Sequence, residues 1–438
     1  MKRQGRKLLS LLVTMTMIAA MSIGFSVTAD AETYWDGTIP AANGSYAFSG
    51  GSGSVADPYQ IATAADLAQL SANVAAGYYQ SVNDSRTYFK LMNDIYLNSV
   101  SVAASLVNPS TAGTAGYTGT GTIHEWQPIG GANTNYSFQG YFDGNGKTIY
   151  NIFYNHSDGS YSSGKSLKNN AGLFGKLEED ATIINLKVSG GYFGGQRSIG
   201  GIVGKSWGSI ISCHNLGTAV YSNQSKGVGG IVGANWVNTS SNPPTVKGCT
   251  NAGTVTSAYS SGSAGGIAGE NEGQIYNCKN TGSITSPYNA GGLVGSNKNN
   301  YNKKTLTGGD IYGGVSNCYN TGSVSGKYAG GIIAYQIGTC VNCYNKGTIT
   351  GSTYAGQLIG QLSSSSTFEN NELHYWTGST VNPFGNTTSA TGADSFGTSS
   401  DDRLHLLDEL NSWVNGQNSE DNQIYSSWIE GSDGYPAF

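Results

Sequence analysis

Apolar and polar positions repeat along the middle of the chain. A glycine, two apolar residues and a second glycine recur five times, and two degenerate copies follow. The copies begin at Gly172, Gly201, Gly230, Gly266, Gly292, Gly331 and Gln357. The two longest spacings contain insertions at 238–245 and 299–310. Without the insertions the unit is about 26 to 29 residues long, a period typical of solenoids.

A second motif lies inside five of the units. It is Cys-x-Asn-x-Gly followed by alternating hydroxyl and apolar residues, and it begins at Cys213, Cys249, Cys278, Cys318 and Cys343. Glycine and asparagine tolerate the positive φ values of sharp bends, so we place a bend at Asn-x-Gly. At 283–285 the alternation directs Ile284 inward and the hydroxyls outward.

One such unit cannot bury its own apolar side, whereas stacked units share a core and pair their backbones about 4.8 Å apart. The sequence therefore predicts an all-β fold: a right-handed parallel β-helix, or β-solenoid, with small helix-containing caps at both ends. The handedness follows from the general rule for parallel crossovers.

Stacking like residues on like predicts ladders along the axis. The motif asparagines, whose amides should hydrogen-bond to one another, are Asn215, Asn251, Asn280, Asn320 and Asn345. The motif cysteines share one position, so we expect buried thiols. Cys340 aligns with aliphatic residues of other units and is expected in the core. Disulfides, a metal at Cys340 and Cys343, and a binding role for the asparagines remain open alternatives.

Helical patterns flank the repeats. One helix is predicted over 63–76, capped by Thr63, and another over 402–414, with Leu404 and Leu410 among the leucines on its packing side. Packing roles are predicted for Trp126, Trp376, Trp413 and Trp428. The predicted divisions are a signal peptide (1–31), a flexible N-terminal segment (32–54), an N-terminal cap with the first coils (55–171), the repeats (172–362) and an acidic C-terminal cap region (363–438).

Composition and charge narrow the class of protein. Glycine accounts for 65 of the 438 residues and charged residues for 11%. These values disfavour charge-rich disorder and a mostly helical protein, and the 9 prolines without a G-x-y period exclude collagen. No dense basic stripe exists, so nucleic acid is not an expected partner.

The N-terminus predicts export. A basic start, an apolar stretch at 8–20 and Ala29-Asp30-Ala31 form a secretory signal with a small-residue cleavage site. A membrane anchor is the alternative, but the apolar stretch is short for a span. We expect no membrane span in the mature chain. The predicted location is secreted or extracellular, with non-covalent association with the cell surface as an option.

The two repeated motifs resemble the GLUG-repeat family of bacterial secreted and cell-surface proteins. Residues 55–171 contain segments that resemble its usual N-terminal companion, among them Trp126-Gln127-Pro128-Ile129-Gly130. The resemblance implies surface-associated proteins that are often proposed as adhesins and are sometimes joined to metallopeptidases that cleave immunoglobulin A. This sequence lacks H-E-x-x-H, the zinc-binding and general-base motif of such peptidases.

The repeats offer little catalytic chemistry. A β-helix polysaccharide lyase or glycosidase needs carboxylates that converge on one face. Glu270 and Glu272 are expected in a solvated loop, and the other units carry no acid where Glu270 stands. We therefore predict no catalytic, metal or cofactor site and a protein that is not an enzyme, with the lyase or glycosidase as an alternative.

The tyrosines are better candidates for a functional surface, as binding residues, than the acidic residues are as catalytic groups. Tyr319 and Tyr344 share an outward position in successive coils, and Tyr328 and Tyr354 recur 26 residues apart. Exposed aromatic rows suit sugar rings or protein partners, whereas the β-propensity of tyrosine is the structural alternative. A ladder of Ser and Thr hydroxyls could also order water, although the mixture makes it irregular.

The predicted function is therefore a non-catalytic, adhesin-like binding surface for an extracellular glycan or for a host, matrix or cell-surface protein. A structural spacer or surface-layer component without a dedicated ligand is the other main alternative. The sequence leaves the oligomeric state open.

Overall fold

The described residues belong to one unit of the chain, residues 34–438, apart from Thr33. The computed structural model describes 33–81, 85–111, 113–131, 136–157, 169–224, 227–238, 243–304, 310–363, 373–376, 379–387, 393–419 and 423–438. The predicted signal peptide lies outside these residues. Within them, no helix is long and apolar enough to cross a membrane.

Three parallel sheets, here called faces A, B and C, wrap around one core. Face A contains Tyr59–Ile61, Tyr88–Leu91, Ile95–Tyr96, Tyr141–Asp143, Thr148–Tyr150, Thr182–Ile184, Lys187–Ser189, Ser209–Ile211, His214–Asn215, Thr245–Lys247, Thr250–Asn251, Gln274–Tyr276, Lys279–Asn280, Gly314–Asn320, Thr339–Asn345, Leu373–Trp376 and Ala393–Phe396. Face B contains Phe153–Asn155, Asn169–Ala171, Tyr192–Gly195, Arg197–Gly200, Ala219–Ser222, Gly227–Gly229, Val255–Ser257, Ser263–Gly265, Ile284–Gly291, Val324–Gly330 and Ile349–Gly356. Face C contains Phe174–Leu177, Val203–Ser206, Val232–Asn235, Ala268–Asn271, Val294–Asn297, Ile333–Gln336 and Ile359–Leu362.

Successive coils pair in parallel on all three faces, so the predicted parallel β-helix is confirmed. The apolar pairs of the glycine motif point inward at the corner between faces B and C. Ile231 and Val232 are fully buried, as are Leu293 and Val294 in a later coil. Among the described residues, two antiparallel strand pairs lie outside the faces: Asn299–Lys304 with Asp310–Tyr312, in the predicted insertion, and Ile429–Glu430 with Pro436–Ala437. Two short 3-10 turns, Ala104–Leu106 and Gly113–Gly116, precede the repeats.

The predicted asparagine ladder is present. Asn251 donates from Nδ2 to Oδ1 of Asn280 over 2.8 Å, and Asn280 donates to Oδ1 of Asn320 over the same distance. The rungs from Asn251 onward also donate to a backbone carbonyl two residues on, as Asn280 does to Gly282 over 2.9 Å, whereas Asn215 donates to the Thr218 carbonyl. The ladder runs from Asn215 to Asn345 inside the protein, where each amide satisfies the next coil.

The predicted bend at Asn-x-Gly is present, for example at Gly282 between the face A strand Lys279–Asn280 and the face B strand Ile284–Gly291. The left-handed backbone of the coil, however, lies before the motif. The residue before each motif cysteine has positive φ, for example Ser212 (φ 50°), Gly248 (65°) and Asn277 (55°). The motif glycines serve a different purpose: a Cβ on Gly322 would lie 2.0 Å from the backbone oxygen of Gly282 in the preceding coil. Close approach of neighbouring coils, rather than a left-handed conformation, therefore requires glycine there.

All six cysteines are free and buried. Cys249 donates its backbone N–H to Sγ of Cys278 over 3.3 Å, and Cys278 does the same to Cys318 over 3.2 Å. Cys340 pairs in register with Val315 and thus occupies an aliphatic position of the core. The thiols fill the core as stacked small residues, as predicted.

The N-terminal helix, α1 (Ala64–Ala75), begins where the sequence indicated. Thr63 accepts the N–H of Asp66, and the Asp66 carboxylate accepts the N–H of Thr63, which completes a capping box. The preceding segment differs from the flexible 32–54 of the sequence analysis. Trp35 and Phe48 are buried there and join the main core, because large apolar side chains gain more from burial than the segment loses in entropy.

The C-terminal helix, α2 (Ser400–Gln417), is longer than predicted. Leu410 is buried and Leu407 packs beside it as predicted, whereas Leu404 is exposed and Leu406 and Val414 are buried instead. The residues after α2 lie against the outer side of face A: the Asn317 amide donates from Nδ2 to the Ser426 carbonyl over 2.9 Å. Trp126 and Trp428 are buried as predicted, and the side chain of Trp376, for which packing was also predicted, is not among those described.

Replacing Gly416 with alanine is expected to stabilise the protein by about 0.5 kcal/mol, since glycine costs conformational entropy in a helix. A Cβ there would have no atom within 4 Å. Thermal unfolding followed by circular dichroism measures the change. The same substitution at Gly434, whose φ is +77°, should destabilise the protein, because alanine disfavours that conformation. Stabilisation by both substitutions would contradict this account.

Candidate binding surface

The first predicted pair, Tyr319 and Tyr344, is stacked but covered. Their ring centroids are 5.4 Å apart with an interplanar angle of 1°, as expected for one position in successive coils. However, their side chains are only 6% and 1% exposed, because Trp428 and Phe438 pack over Tyr319 and the Tyr344 hydroxyl donates to the Pro436 carbonyl. The predicted surface position of this pair is therefore wrong.

A second asparagine ladder, on face A, binds the C-terminal residues that cover Tyr319 and Tyr344. Asn277, Asn317 and Asn342, all in the left-handed region, stack by amide hydrogen bonds of 2.8 and 2.7 Å. Trp428 donates from Nε1 to the side-chain Oδ1 of Asn317 over 2.6 Å. Burial under this cover raises the pKa of Tyr319 to about 12. The C-terminal residues thus remove this part of face A from solvent.

The second pair, Tyr328 and Tyr354, remains half-exposed on face B. Their centroids lie 5.5 Å apart and nearly parallel, at 25°. Tyr288, from the preceding coil, continues the series with an edge contact of 5.0 Å to Tyr328. Lys327 holds its ammonium 5.1 Å from the Tyr328 centroid and 5.5 Å from that of Tyr288. We call Tyr288, Tyr328 and Tyr354 the tyrosine row.

The row lies in the turn within face B at which the register between coils shifts, and residues of the same turn can be traced back through earlier coils. The backbone N–H of Tyr288 bonds to the Ser286 hydroxyl, and that of Tyr259 bonds to the Ser257 hydroxyl, each two residues before. Gln224 makes the same contact with Ser222. Since Ser222 pairs in register with Gly195 and with Ser257, Arg197 holds this position one coil earlier.

Two columns of hydroxyls lie beside the row on face B. Thr285 pairs in register with Thr256 and Ser325, and Ser325 pairs with Thr350. In the second column, the Ser323 hydroxyl donates to that of Ser283 over 3.0 Å. Most of these side chains are exposed, as the alternating pattern predicted, so a polar strip borders the aromatic row.

A cleft opens at the N-terminal end of the same turn position, between faces B and C. Its volume is about 210 Å³, and its lining includes Arg197, Gln224, Gly227, Trp236, Tyr259 and Glu270. We call it the Trp236 cleft. It is smaller than the pockets of drug-sized ligands, about 300 Å³ or more, so it suits a single ring.

Glu270 forms the polar wall of the cleft. Its Oε1 is 2.8 Å from Nζ of Lys298, and its Oε2 accepts the indole N–H of Trp236 over 3.1 Å. The residue is 4% exposed, so the expectation of a solvated loop is wrong: Glu270 lies within the face C strand Ala268–Asn271. A Cβ on Gly227 would approach Glu270 Cγ to 3.3 Å, so glycine leaves room for this side chain.

Lys205 contacts the indole ring of Trp236, which forms part of the aromatic wall of the cleft. Its ammonium lies 4.2 Å from the Trp236 ring centroid and 4.3 Å from that of Trp207. Burial lowers the pKa of Lys205 from its ordinary value, and Glu272 opposes part of that shift. Lysine between two indoles holds the Trp236 ring in place.

The sequence analysis did not identify this cleft, although a periodic pattern marked it. Trp207 and Trp236 both lie six residues after the first glycine of their units. Glu272 and Lys298 occupy the same offset in the next two units. An alignment of this position across the units would have predicted that two indoles and two opposite charges lie next to one another in successive coils.

No group of three or more metal-ligating side chains occurs among the described residues. Cys213, Cys249 and Cys318 are poor candidates for reactive thiols, because burial raises the pKa of each. His374 is buried as well, which lowers its pKa to about 4. Glu270 stands in register with Ala234 and Ser296, so this column carries a single carboxylate in those three coils.

Comparison with known proteins identifies one repeat unit. Residues 260–285 match the model of a family described as the GLUG motif. The chain carries a GLUG motif. The matched stretch includes Gly266 of the glycine motif and Cys278 of the cysteine motif, and it forms parts of all three faces. The resemblance seen in the sequence is thereby confirmed.

Two relatives share part of the chain. A protein of Evansella cellulosilytica named "Putative Gly-rich membrane protein" is 31% identical over 166 residues, which are 37% of this chain and 15% of that protein. Halomucin of Haloquadratum walsbyi is 28% identical over 202 residues, 45% of this chain and 2% of that protein. The chain thus spans a small fraction of either relative.

Among solved structures, the chain resembles one from Bacteroides ovatus named "putative immunoglobulin A1 protease". The alignment covers 91% of this chain and 97% of that chain, with a TM-score of 0.49 and 19% sequence identity.

Proposed function

We propose that this protein is exported by the signal peptide at 1–31 and acts outside the cell as a non-catalytic, adhesin-like binding protein. Its ligand is a glycan or a protein of a host, matrix or cell surface. The observation that carries this proposal is the tyrosine row, three half-exposed rings in successive coils of a rigid scaffold. Aromatic faces bind the apolar side of sugar rings and serve as anchors in protein interfaces.

The rigid scaffold lowers the entropic cost of binding a ligand. The strands of Tyr288 and Tyr328 pair with both neighbouring coils and that of Tyr354 pairs with the coil of Tyr328, so little backbone entropy is lost when a ligand docks. The adjacent hydroxyl columns supply donors and acceptors at the same coil spacing. An extended ligand that lies along the axis can therefore meet aromatic and polar groups in register.

The main alternative is a structural spacer without a dedicated ligand. An array of glycans and matrix proteins, probed with the purified protein, separates the two. We expect binding to at least one class of array member and a fall of at least tenfold in the double variant Tyr328→Ala/Tyr354→Ala, as for anchor residues at interfaces.

The matched control is Tyr78→Ala/Tyr136→Ala, which removes two exposed tyrosines of the N-terminal region. This variant should bind like the unaltered protein. No binding to any array member would favour the structural spacer. Equal losses of binding in the two double variants would show that the tyrosine row is not part of the binding surface. Product release from polysaccharides would support the lyase or glycosidase alternative.

A further inference from the structure

The Trp236 cleft and the tyrosine row lie along the same turn of face B in successive coils. Arg197, Gln224 and Tyr259 belong to this turn in three successive coils before those of the row. From the coil of Arg197 to that of Tyr354 there are five steps, or about 24 Å at the usual strand spacing. The cleft is therefore the N-terminal end of a continuous track.

The aromatic walls of the cleft favour a ring-shaped ligand. Trp236 and Tyr259 both line it, and the Trp236 ring is held by Lys205 at 4.2 Å. A pyranose presents axial hydrogens as an apolar face and can stack on such rings. The small volume admits one ring rather than a larger group.

The polar wall selects ligands that donate hydrogen bonds. The Glu270 carboxylate is fixed by Lys298 and by the Trp236 indole, so it cannot turn away from the cleft that it lines. A fully deprotonated anion such as sulfate would face this carboxylate without donors to offer. Sugar hydroxyls donate to carboxylates and thereby satisfy its remaining lone pairs.

The charge of the cleft favours a ligand with its own carboxylate. Lys298 neutralises Glu270, whereas Arg197 is exposed and has no salt-bridge partner among the described residues. A guanidinium binds a carboxylate through two parallel hydrogen bonds. Hydroxyl donors for Glu270 and a carboxylate for Arg197 occur together in uronic acids.

We infer that the Trp236 cleft is a subsite for a carboxylate-bearing sugar, a uronic acid residue, at the N-terminal end of the track. Trp236 and Tyr259 contact the ring, Glu270 accepts from its hydroxyls and Arg197 binds its carboxylate. This inference rests on the proposed binding function and names the ligand class for one end of the surface.

Titration calorimetry with two tetrasaccharides tests it. One is a galacturonate tetrasaccharide, and the other is its fully methyl-esterified form, which keeps the rings and removes the charges. We expect the protein to bind the acid at least tenfold more tightly. Arg197→Gln should weaken binding of the acid at least tenfold and leave binding of the ester unchanged, because it removes only the charge-assisted contact.

Two further variants separate the roles. Tyr259→Ala should weaken binding of both tetrasaccharides by similar factors, because ring stacking does not depend on the carboxylate. Lys279→Gln removes the same charge from face A and should change neither affinity.

Equal affinity for the two tetrasaccharides, an acid preference that survives Arg197→Gln, or binding of neither would overturn the inference. The proposed function is judged separately by the array and the Tyr328/Tyr354 variant. A cleft that binds no uronate beside a functioning row would leave that proposal intact.

Discussion

Replacing Gly322 with valine is expected to destabilise the β-helix by about 4 kcal/mol or more, or to prevent folding. A Cβ at this position would lie 2.0 Å from the backbone oxygen of Gly282 and 2.8 Å from Nδ2 of Asn280. The first atom belongs to the backbone and the second to an amide that the ladder holds in place, so the two coils must separate. Separation breaks ladder hydrogen bonds and opens the core, the two mechanisms that produce the largest effects of single substitutions.

Thr321→Val is the matched control, because it introduces the same side chain one residue earlier on the exposed side. Its effect should remain within about 0.5 kcal/mol. Thermal unfolding and soluble yield compare the two variants. Similar losses for Thr321→Val and Gly322→Val would contradict the close approach of coils as the reason for this glycine.

Replacing Asn280 with alanine is expected to cost about 3 to 5 kcal/mol, since a deleted partner leaves buried polar groups unsatisfied at about 1–3 kcal/mol each. Asn280 accepts from Asn251, donates to Asn320 and to the Gly282 carbonyl, and accepts the Gly282 N–H. All of these groups are buried, and water cannot replace the lost amide without a cavity large enough to hold it.

The same substitution at Asn345 provides the control. This residue ends the ladder, accepting from Asn320 without a further asparagine above it among the described residues. Asn345→Ala should therefore cost about half as much. Because repeat arrays unfold in parts, amide hydrogen exchange across residues 245–350 is the suitable measurement. Equal protection in the two variants would show that the ladder does not connect the coils.

Repetition made most of the fold predictable. A row of asparagines at one position of each unit implies a ladder, and Cys340 could be placed in the core by its alignment with Val315. The motif glycines were predicted as well, but for the wrong reason. Sequence shows that glycine recurs, whereas the approach of Gly322 to the carbonyl of Gly282 depends on how closely two coils pack.

The binding surface was only partly predictable. Tyr328 and Tyr354 lie where the period placed them, and Tyr288 and the Trp236 cleft could have been found by aligning every column of the repeat. Tyr319 and Tyr344 fulfil the same periodic rule, yet they are buried. Their cover comes from residues about 90 to 110 positions later, which have no period and therefore no alignment to reveal the contact.

The sequence by itself determined the coil, its core and its ladders. A repeated unit packs against copies of itself, so equivalent positions make the same contact in every coil. Only the tertiary structure decided which outward side chains stay in solvent. That outcome depends on how the non-repeating C-terminal residues fold back on face A, and on the space between faces B and C where Arg197, Trp236 and Glu270 meet. Contacts of this kind are set by three-dimensional packing between dissimilar segments, which periodicity does not encode.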